Sequence, residues 1–141
     1  MLVSTKGRYA LRTMMDLAVH SQSGPVKIKD ITARQEISSK YLEQIISILA
    51  REGLVRSLRG NQGGYYLSKE PSAYTAGEIL RAAEGSLAPV DCLRAPENQC
   101  RRKDDCAALK LWEELDRAIS GVVDHYTLED LLKWQDEESE E

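Results

Sequence analysis

The 141-residue chain predicts a mainly α-helical domain with one small β-hairpin, followed by a long helix with little to pack on inside so short a domain. Three observations carry this expectation. Behind the N-cap candidates Ser38 and Ser39, the apolar residues Leu42, Ile45, Ile46 and Leu49 recur at helical spacing, and Gly53 is a helix stop. Directly afterwards, Leu54–Leu58 and Tyr65–Leu67 flank Arg59-Gly-Asn-Gln-Gly-Gly64, which has the composition of a hairpin tip. Further on, Ala108, Trp112, Leu115, Ile119, Val122 and Tyr126 are spaced 4-3-4-3-4, the seam of a helix pair. A helix followed by a basic, glycine-tipped hairpin is the local pattern of a winged helix-turn-helix. The fold class expected is therefore mainly α with a small β-hairpin wing: a winged helix-turn-helix domain plus a long dimerisation helix.

Taken in order, the first helix is expected from Ser4 or Thr5 to His20, with Leu11, Met14, Met15 and Ala18 buried. Arg12 and Asp16 stand at i, i+4 and can pair on its outer face. Lys6, Gly7 and Arg8 lie at its front end, where a cation or a backbone N–H can touch phosphate, although each alone also reads as ordinary surface. His20 reads as a solvated helix end rather than a metal ligand. Ser21–Pro25 is a loop, Val26–Ile28 a short strand able to pair with the wing, and Ile28–Gln35 a second helix. The tight link through Glu36 and Ile37 makes helices two and three the helix-turn-helix pair.

On the third helix Lys40, Glu43, Gln44, Ser47 and Arg51 repeat opposite the apolar stripe. Cations for phosphates are thus combined with an amide, hydroxyls and a carboxylate able to read base edges. Ser39, Lys40, Glu43, Gln44 and Ser47 would enter a major groove, and Arg59, Gly60, Asn61 and Gln62 of the wing would follow the phosphates or minor groove. A solvated helix and an ordinary turn would explain either element alone; the two side by side point to DNA.

Past the wing, Pro71 and Ser72 break the chain. Thr75 and Glu78 form a capping box for a fourth helix that buries Ala76, Ile79, Leu80 and Ala83 and ends at Gly85. From Ser86 to Asp104 no period survives, and a loop of that length needs something to organise it or a function to serve. The long helix is expected from Asp104 or Asp105 to Asp124, with Leu111 and Ala118 widening its apolar face. A second subunit is its natural partner, and packing on the first helix is the alternative. Thr127 caps a last helix, Leu128–Trp134, folded back as a brace, and Asp136–Glu141 reads as a solvated, disordered acidic tail. The chain divides accordingly into a winged domain over 1–85, a cysteine-bearing loop over 86–104, a dimerisation helix and brace over 105–135, and the tail over 136–141.

A net charge of −4 argues at first against a nucleic-acid partner, but its distribution reverses that. Residues 1–69 carry 11 Lys/Arg against 5 Asp/Glu, and residues 70–141 carry 8 against 18, so the halves stand at +6 and −10. No run of 18 apolar residues exists to span a membrane, and the first residues lack the apolar stretch of a signal peptide. A cytoplasmic protein is expected. No nucleophile–base pair or phosphate loop supports an enzyme.

All three cysteines fall between residues 92 and 106, as C-x7-C-x5-C at Cys92, Cys100 and Cys106. In a reducing compartment such a set points to metal binding or redox sensing rather than a structural disulfide. Structural zinc uses closer pairs, whereas the broader iron–sulfur cluster can be reached from points spread along a loop. Arg94, Arg101, Arg102 and Lys103 would offset the thiolate charge. Three unligated thiols beside a basic loop are the other reading.

Ser4-Thr-Lys-Gly-Arg-Tyr-Ala10, Tyr41-Leu-Glu-Gln44, Gly53-Leu-Val55, Arg59-Gly60 with Gly63-Gly64-Tyr65, and Thr127-Leu-Glu-Asp-Leu131 resemble the IscR/CymR-type (Rrf-two, also called BadM-type) transcriptional regulators, over residues 1 to about 135. The resemblance implies a homodimeric winged-helix regulator of double-stranded DNA. In the IscR-like branch three loop cysteines and one further ligand hold an iron–sulfur cluster, and Cys92, Cys100 and Cys106 resemble that set, with a [2Fe-2S] cluster favoured over a [4Fe-4S] one. In that branch the glutamate matching Glu43 filters out wrong DNA sites. The CymR-like branch controls cysteine metabolism with a protein partner and generally lacks the triad.

Two features depart from the IscR pattern. The first cysteine gap has seven residues instead of five, and the position of a histidine ligand three residues after the third cysteine holds Leu109. Glu97, Asp104, Asp105, a partner residue or a non-protein ligand remain open for the fourth place. Nitric-oxide-sensing relatives use an N-terminal acid where Arg8 stands. The expected function is a regulator of iron–sulfur cluster biogenesis or related genes. A CymR-like repressor without a cluster, a nitric oxide or redox sensor, and an electron-carrying metalloprotein are the rivals.

Overall fold

The computed structural model describes residues 3–139. Six α-helices and one hairpin follow each other as α1 (Thr5–His20), α2 (Ile28–Gln35), α3 (Ser39–Arg51), β1 (Val55–Leu58), β2 (Gly64–Leu67), α4 (Ala76–Glu84), α5 (Leu109–Val123) and α6 (Leu128–Ser139). Helix α1 is the strut of the fold and packs on α4, α3, α2, β2 and α6. Its Met14 and Leu17 meet Ile31 of α2, Leu42, Ile45, Ile46 and Leu49 of α3, Ile79 of α4 and Leu128 of α6 in one core where each is almost wholly removed from water. At about 1.5–3 kcal/mol per buried aliphatic side chain, this contact set holds the helices together.

The helix-turn-helix corner is built locally. Helix α2 ends at Glu36, which takes the left-handed conformation (φ 56°, ψ 41°) and donates its N–H to the Thr32 carbonyl at 2.9 Å. Ile37 then drops into the core, and the Ser38 hydroxyl accepts the Tyr41 N–H at 3.2 Å to cap α3. The wing strands pair antiparallel with Val55 opposite Leu67 and Leu58 opposite Gly64. The strand expected at Val26–Ile28 is reduced to a single bridge, in which Val26 and Tyr65 exchange N–H···O bonds of 2.8 Å. Ile28 already opens α2, so no longer ladder forms. A Cβ on Gly64 would collide with the Val26 backbone, and glycine there lets that bridge form.

Three expectations about helix ends need correction. The Thr75 hydroxyl accepts the Glu78 N–H at 3.0 Å, but the Glu78 carboxylate turns to the Lys69 ammonium (3.0 Å), so only half of that capping box forms. A charged partner outcompetes a backbone amide for this exposed carboxylate. The reciprocal box stands instead at α6, where Thr127 N–H donates to Asp130 Oδ2 at 2.9 Å and Asp130 N–H to Thr127 Oγ1 at 3.2 Å. Helix α5 starts at Leu109 instead of Asp104 or Asp105, because Lys103, Asp105 and Leu109 bond three residues back, to Cys100, Arg102 and Cys106, in separate tight turns. Helix α6 runs past Trp134 through the acidic residues to Ser139, with no glycine or proline to stop it; Glu140 and Glu141 of the expected tail lie outside the described residues.

Helix α6 returns onto the body as the expected brace. Ala76 N–H donates to the Tyr126 carbonyl (2.8 Å) and Leu128 N–H to that of Tyr74 (2.9 Å), and α6 packs on α1 and on the 3-10 turn Pro71–Ala73. Helix α5 is different, for none of its residues is buried. It meets α4 near its C-terminal end, where Arg81 donates to both oxygens of Asp124 (2.6 and 3.1 Å) and to the Ser120 hydroxyl (3.3 Å). No helix of the described residues is long and apolar enough to cross a membrane.

The outward Arg12–Asp16 pair does not form. Asp16 is buried against α2 and accepts from Arg34 Nε (2.9 Å) and Nη2 (2.8 Å) and from Gln35 Nε2 (2.9 Å), while Arg12 donates to the Gln35 side chain and carbonyl. A two-pronged guanidinium bond displaces a single exposed contact. Burial alone would raise the Asp16 pKa; hydrogen bonds from Arg34 and Gln35 outweigh it and hold the carboxyl below its ordinary value. The depressed value means stability that is present above the unfolded pKa near 4 and lost as pH falls through the folded one. Asp16→Asn is expected to cost roughly 1–3 kcal/mol at neutral pH, reduced because Arg34 is partly solvated. The deficit relative to wild type should shrink as the pH is taken from about 5 towards 2 in urea unfolding, since Asn has no proton to gain.

Candidate nucleic-acid interface and cysteine loop

The side chains singled out on α3 and the wing lie on the outside of the core just described. Ser39, Lys40, Glu43, Gln44, Ser47 and Arg51 are all exposed on α3, and Leu42, Ile45, Ile46 and Leu49 anchor the opposite face. Arg59, Gly60, Asn61 and Gln62 are exposed at the wing tip, where Gly63 N–H closes the turn on the Gly60 carbonyl at 3.0 Å. Lys40, Glu43, Gln44, Arg51, Arg59, Asn61 and Gln62 make no side-chain hydrogen bond or ion pair among the described residues. Their donors and acceptors are therefore available to another molecule. Lys6 and Arg8 are exposed at the front of α1, with Arg8 donating to the Thr5 hydroxyl at 3.0 Å. The Gly7 N–H is not free for phosphate, since it donates to Glu84 Oε1 at 3.0 Å.

Sequence reasoning missed the residue that sets the wing. Tyr74 is fully buried between the hairpin and α4, and its hydroxyl accepts from the N–H groups of Ser68 (2.8 Å) and Lys69 (3.0 Å) while donating to the Leu54 carbonyl (2.7 Å). One side chain thus closes the base of both strands. Its only signal in the sequence was a tyrosine directly before a capping threonine.

The cysteine loop joins α4 to α5. Cys92 lies half-buried in a 3-10 turn (Asp91–Leu93), Cys100 is exposed with its N–H donated to Asn98 Oδ1 (2.8 Å), and Cys106 is half-buried ahead of α5. All three thiols are free. Cys92, Lys103 and Asp104 share a cleft of about 530 Å³ with Leu109, Glu113 and Arg117 of α5. Among the described residues, no three His, Cys, Asp or Glu side chains converge as a metal-binding group. The three thiols suit an iron–sulfur cluster by donor chemistry, and the loop must close to bring them onto one. Leu109, in the position of the expected histidine, lines this cleft and offers no donor.

Comparison with known proteins gives a consistent family. Residues 3–134 match the family described as Rrf2, iron-dependent transcriptional regulator. The chain is 43% identical over 140 residues to the HTH-type transcriptional regulator CymR of Bacillus subtilis, covering 99% of this chain and 96% of that one. It is 42% identical over 136 residues to the HTH-type transcriptional regulator IscR of Serratia proteamaculans, covering 96% and 82%. The solved structure of CymR, the global cysteine regulator of B. subtilis, superposes with a TM-score of 0.79 at 41% identity, over 95% of this chain and 98% of that one.

Removing the Tyr74 hydroxyl tests the wing's anchorage. Tyr74→Phe removes the acceptor of the Ser68 and Lys69 amides and the donor to the Leu54 carbonyl, leaving only the long 3.5 Å bond from Ser68 N–H to that carbonyl, and should lower stability by about 1–3 kcal/mol in urea. Amide exchange at Ser68 and Lys69 should accelerate well beyond the global change. Unaltered protection at those two amides would show that the wing base is held by other contacts.

Proposed function

The chain belongs to the Rrf2 family of transcriptional regulators, and on that premise we propose that it is a dimeric, cytoplasmic DNA-binding protein whose three-cysteine loop binds an iron–sulfur cluster and adjusts DNA binding to cluster supply. The observation that carries the reading is the position of Cys92, Cys100 and Cys106: three free thiols on the one long loop between the DNA-binding half and α5. Relatives across the matched length are named transcriptional regulators, not enzymes.

In this reading Ser39, Lys40, Glu43, Gln44 and Ser47 enter the major groove, Arg51 and the front of α1 meet phosphates, and Arg59–Gln62 track the backbone or minor groove. Two reading heads about one helical turn (~34 Å) apart suit an operator with two half-sites. The dimer is supported by the face of α5, where Leu111, Leu115 and Val122 line up at helical spacing and are 61%, 41% and 57% exposed. Cys92, Cys100 and Cys106 would hold the cluster, which when bound gives the loop a state set by iron and sulfide supply. Cys106 stands three residues before α5 and Cys92 eight residues after α4, so a cluster held by both would tie the two helices together. The spacing of the two heads would shift with it.

A second reading has its own support. Leu109 in place of a donor, the unconverged thiols and the close likeness to the B. subtilis cysteine regulator favour a regulator of cysteine metabolism that works without a cluster and through a protein partner. Anaerobic reconstitution with iron and sulfide separates the two. Visible absorption that disappears in Cys92→Ala supports the cluster; an absence of bound iron and sulfide in the wild type sinks it. A separate expectation concerns assembly: Leu115→Asp should give monomers by sedimentation, with operator affinity reduced by an order of magnitude or more. An intact dimer would place the interface elsewhere.

A further inference from the structure

Helix α1 starts in an unusual electrostatic state. Its first turn contains no acidic residue but carries Lys6, with Arg8 just behind, although a helix N-terminus favours negative charge. Its N-cap residue, Ser4, makes no capping bond through its own hydroxyl oxygen. The missing acceptor and the missing charge come from 80 residues away. Glu84 Oε1 accepts from the Ser4 N–H (2.9 Å), the Ser4 hydroxyl (2.6 Å) and the Gly7 N–H (3.0 Å). Gly7 is buried, and a Cβ there would collide with that same carboxylate oxygen. Glycine inside a helix costs about 1 kcal/mol relative to alanine, and here its bareness admits the clamp.

Glu84 is also the last residue of α4, followed by Gly85 and the loop that carries the cysteines. Lys6 and Arg8 flank Gly7 and are exposed. Without a carboxylate on its front amides, a cationic first turn frays, and its two cations lose their fixed position. We propose that Glu84 is a positioning residue for DNA binding: from the root of the cysteine loop it holds the first turn of α1 so that Lys6 and Arg8 meet the phosphate backbone. This rests on the reading above that the front of α1 faces DNA.

The test is the salt dependence of binding to a duplex selected by the wild-type protein from a random-sequence pool. Each phosphate contact contributes about 0.9 to the slope of log affinity against log salt. Lys6→Ala with Arg8→Ala should flatten the slope by nearly two. Glu84→Ala should flatten it by a similar amount, weaken low-salt binding about tenfold and add little when combined with that pair. Glu84→Gln, which keeps an acceptor oxygen, should recover most of the slope. A merely destabilised fold would lower the active fraction and leave the slope alone. If Glu84→Ala does not fold, Glu84→Asp, one methylene too short to reach, takes its place with the same expectation. A wild-type slope in the Glu84 variants, alongside a flattened one in the Lys6/Arg8 protein, overturns the clamp and leaves the DNA reading standing. A wild-type slope in the Lys6/Arg8 protein overturns both.

Discussion

The buried hydroxyl of Tyr74 ties the base of the wing to the segment that leads into α4. It fixes the exit of α3 through Leu54, the return of the hairpin through Ser68 and Lys69, and the Lys69 ammonium lies 4.7 Å from the centre of its ring. Its carbonyl receives Leu128 from α6, and the residue after it caps α4. Each of these polar groups would cost about 1–3 kcal/mol if buried without a partner, so the node is held by mutual need. A rigid wing base results, while the wing tip is left with side chains that have no partner of their own. That division suits a probe whose tip must adapt to a surface and whose base must transmit where that surface is.

Helix α4 stands between the basic and acidic halves. Arg81 grips the end of α5 through Asp124 and Ser120, and Glu84 grips the start of α1. The two grips lie three residues apart, almost one turn of the same helix. The hydrogen bond to the Asp124 carboxylate raises the Arg81 pKa above its ordinary value. The long cysteine loop leaves from the same helix. Any change in the loop that tilts α4 is therefore felt at both ends.

The helices and the wing were legible in the sequence because their signals are local: apolar spacing in α1, α3 and α4, a serine cap at α3, glycines at the hairpin. The partners of charged residues were not. Asp16 has Arg12 four residues away on its own helix, yet it bonds Arg34, because burial rewards the two-pronged geometry that only a second helix supplies. Glu78 leaves its capping role for a different reason: its carboxylate is exposed, and the Lys69 ammonium, nine residues back beyond the wing, offers it a full charge. The loop cysteines pointed to metal or redox chemistry by type and spacing, with unligated thiols as the other reading; whether they converge depends on loop closure, which no local pattern encodes. Glu84 gave no signal because its partners are backbone amides 77 and 80 positions distant.

Helix α5, which buries none of its residues against its own chain, has a consequence for the cell that makes the protein. If that face is covered by a second copy, the helix is ordered by mass action, and its stability rises with the amount of protein present. Operator occupancy then climbs more steeply than in proportion to protein level at low abundance. Growth and division dilute the regulator and, by loosening α5, also weaken each remaining molecule. Under the dimeric reading proposed above, synthesis rate and gene dosage would therefore bear on operator occupancy directly.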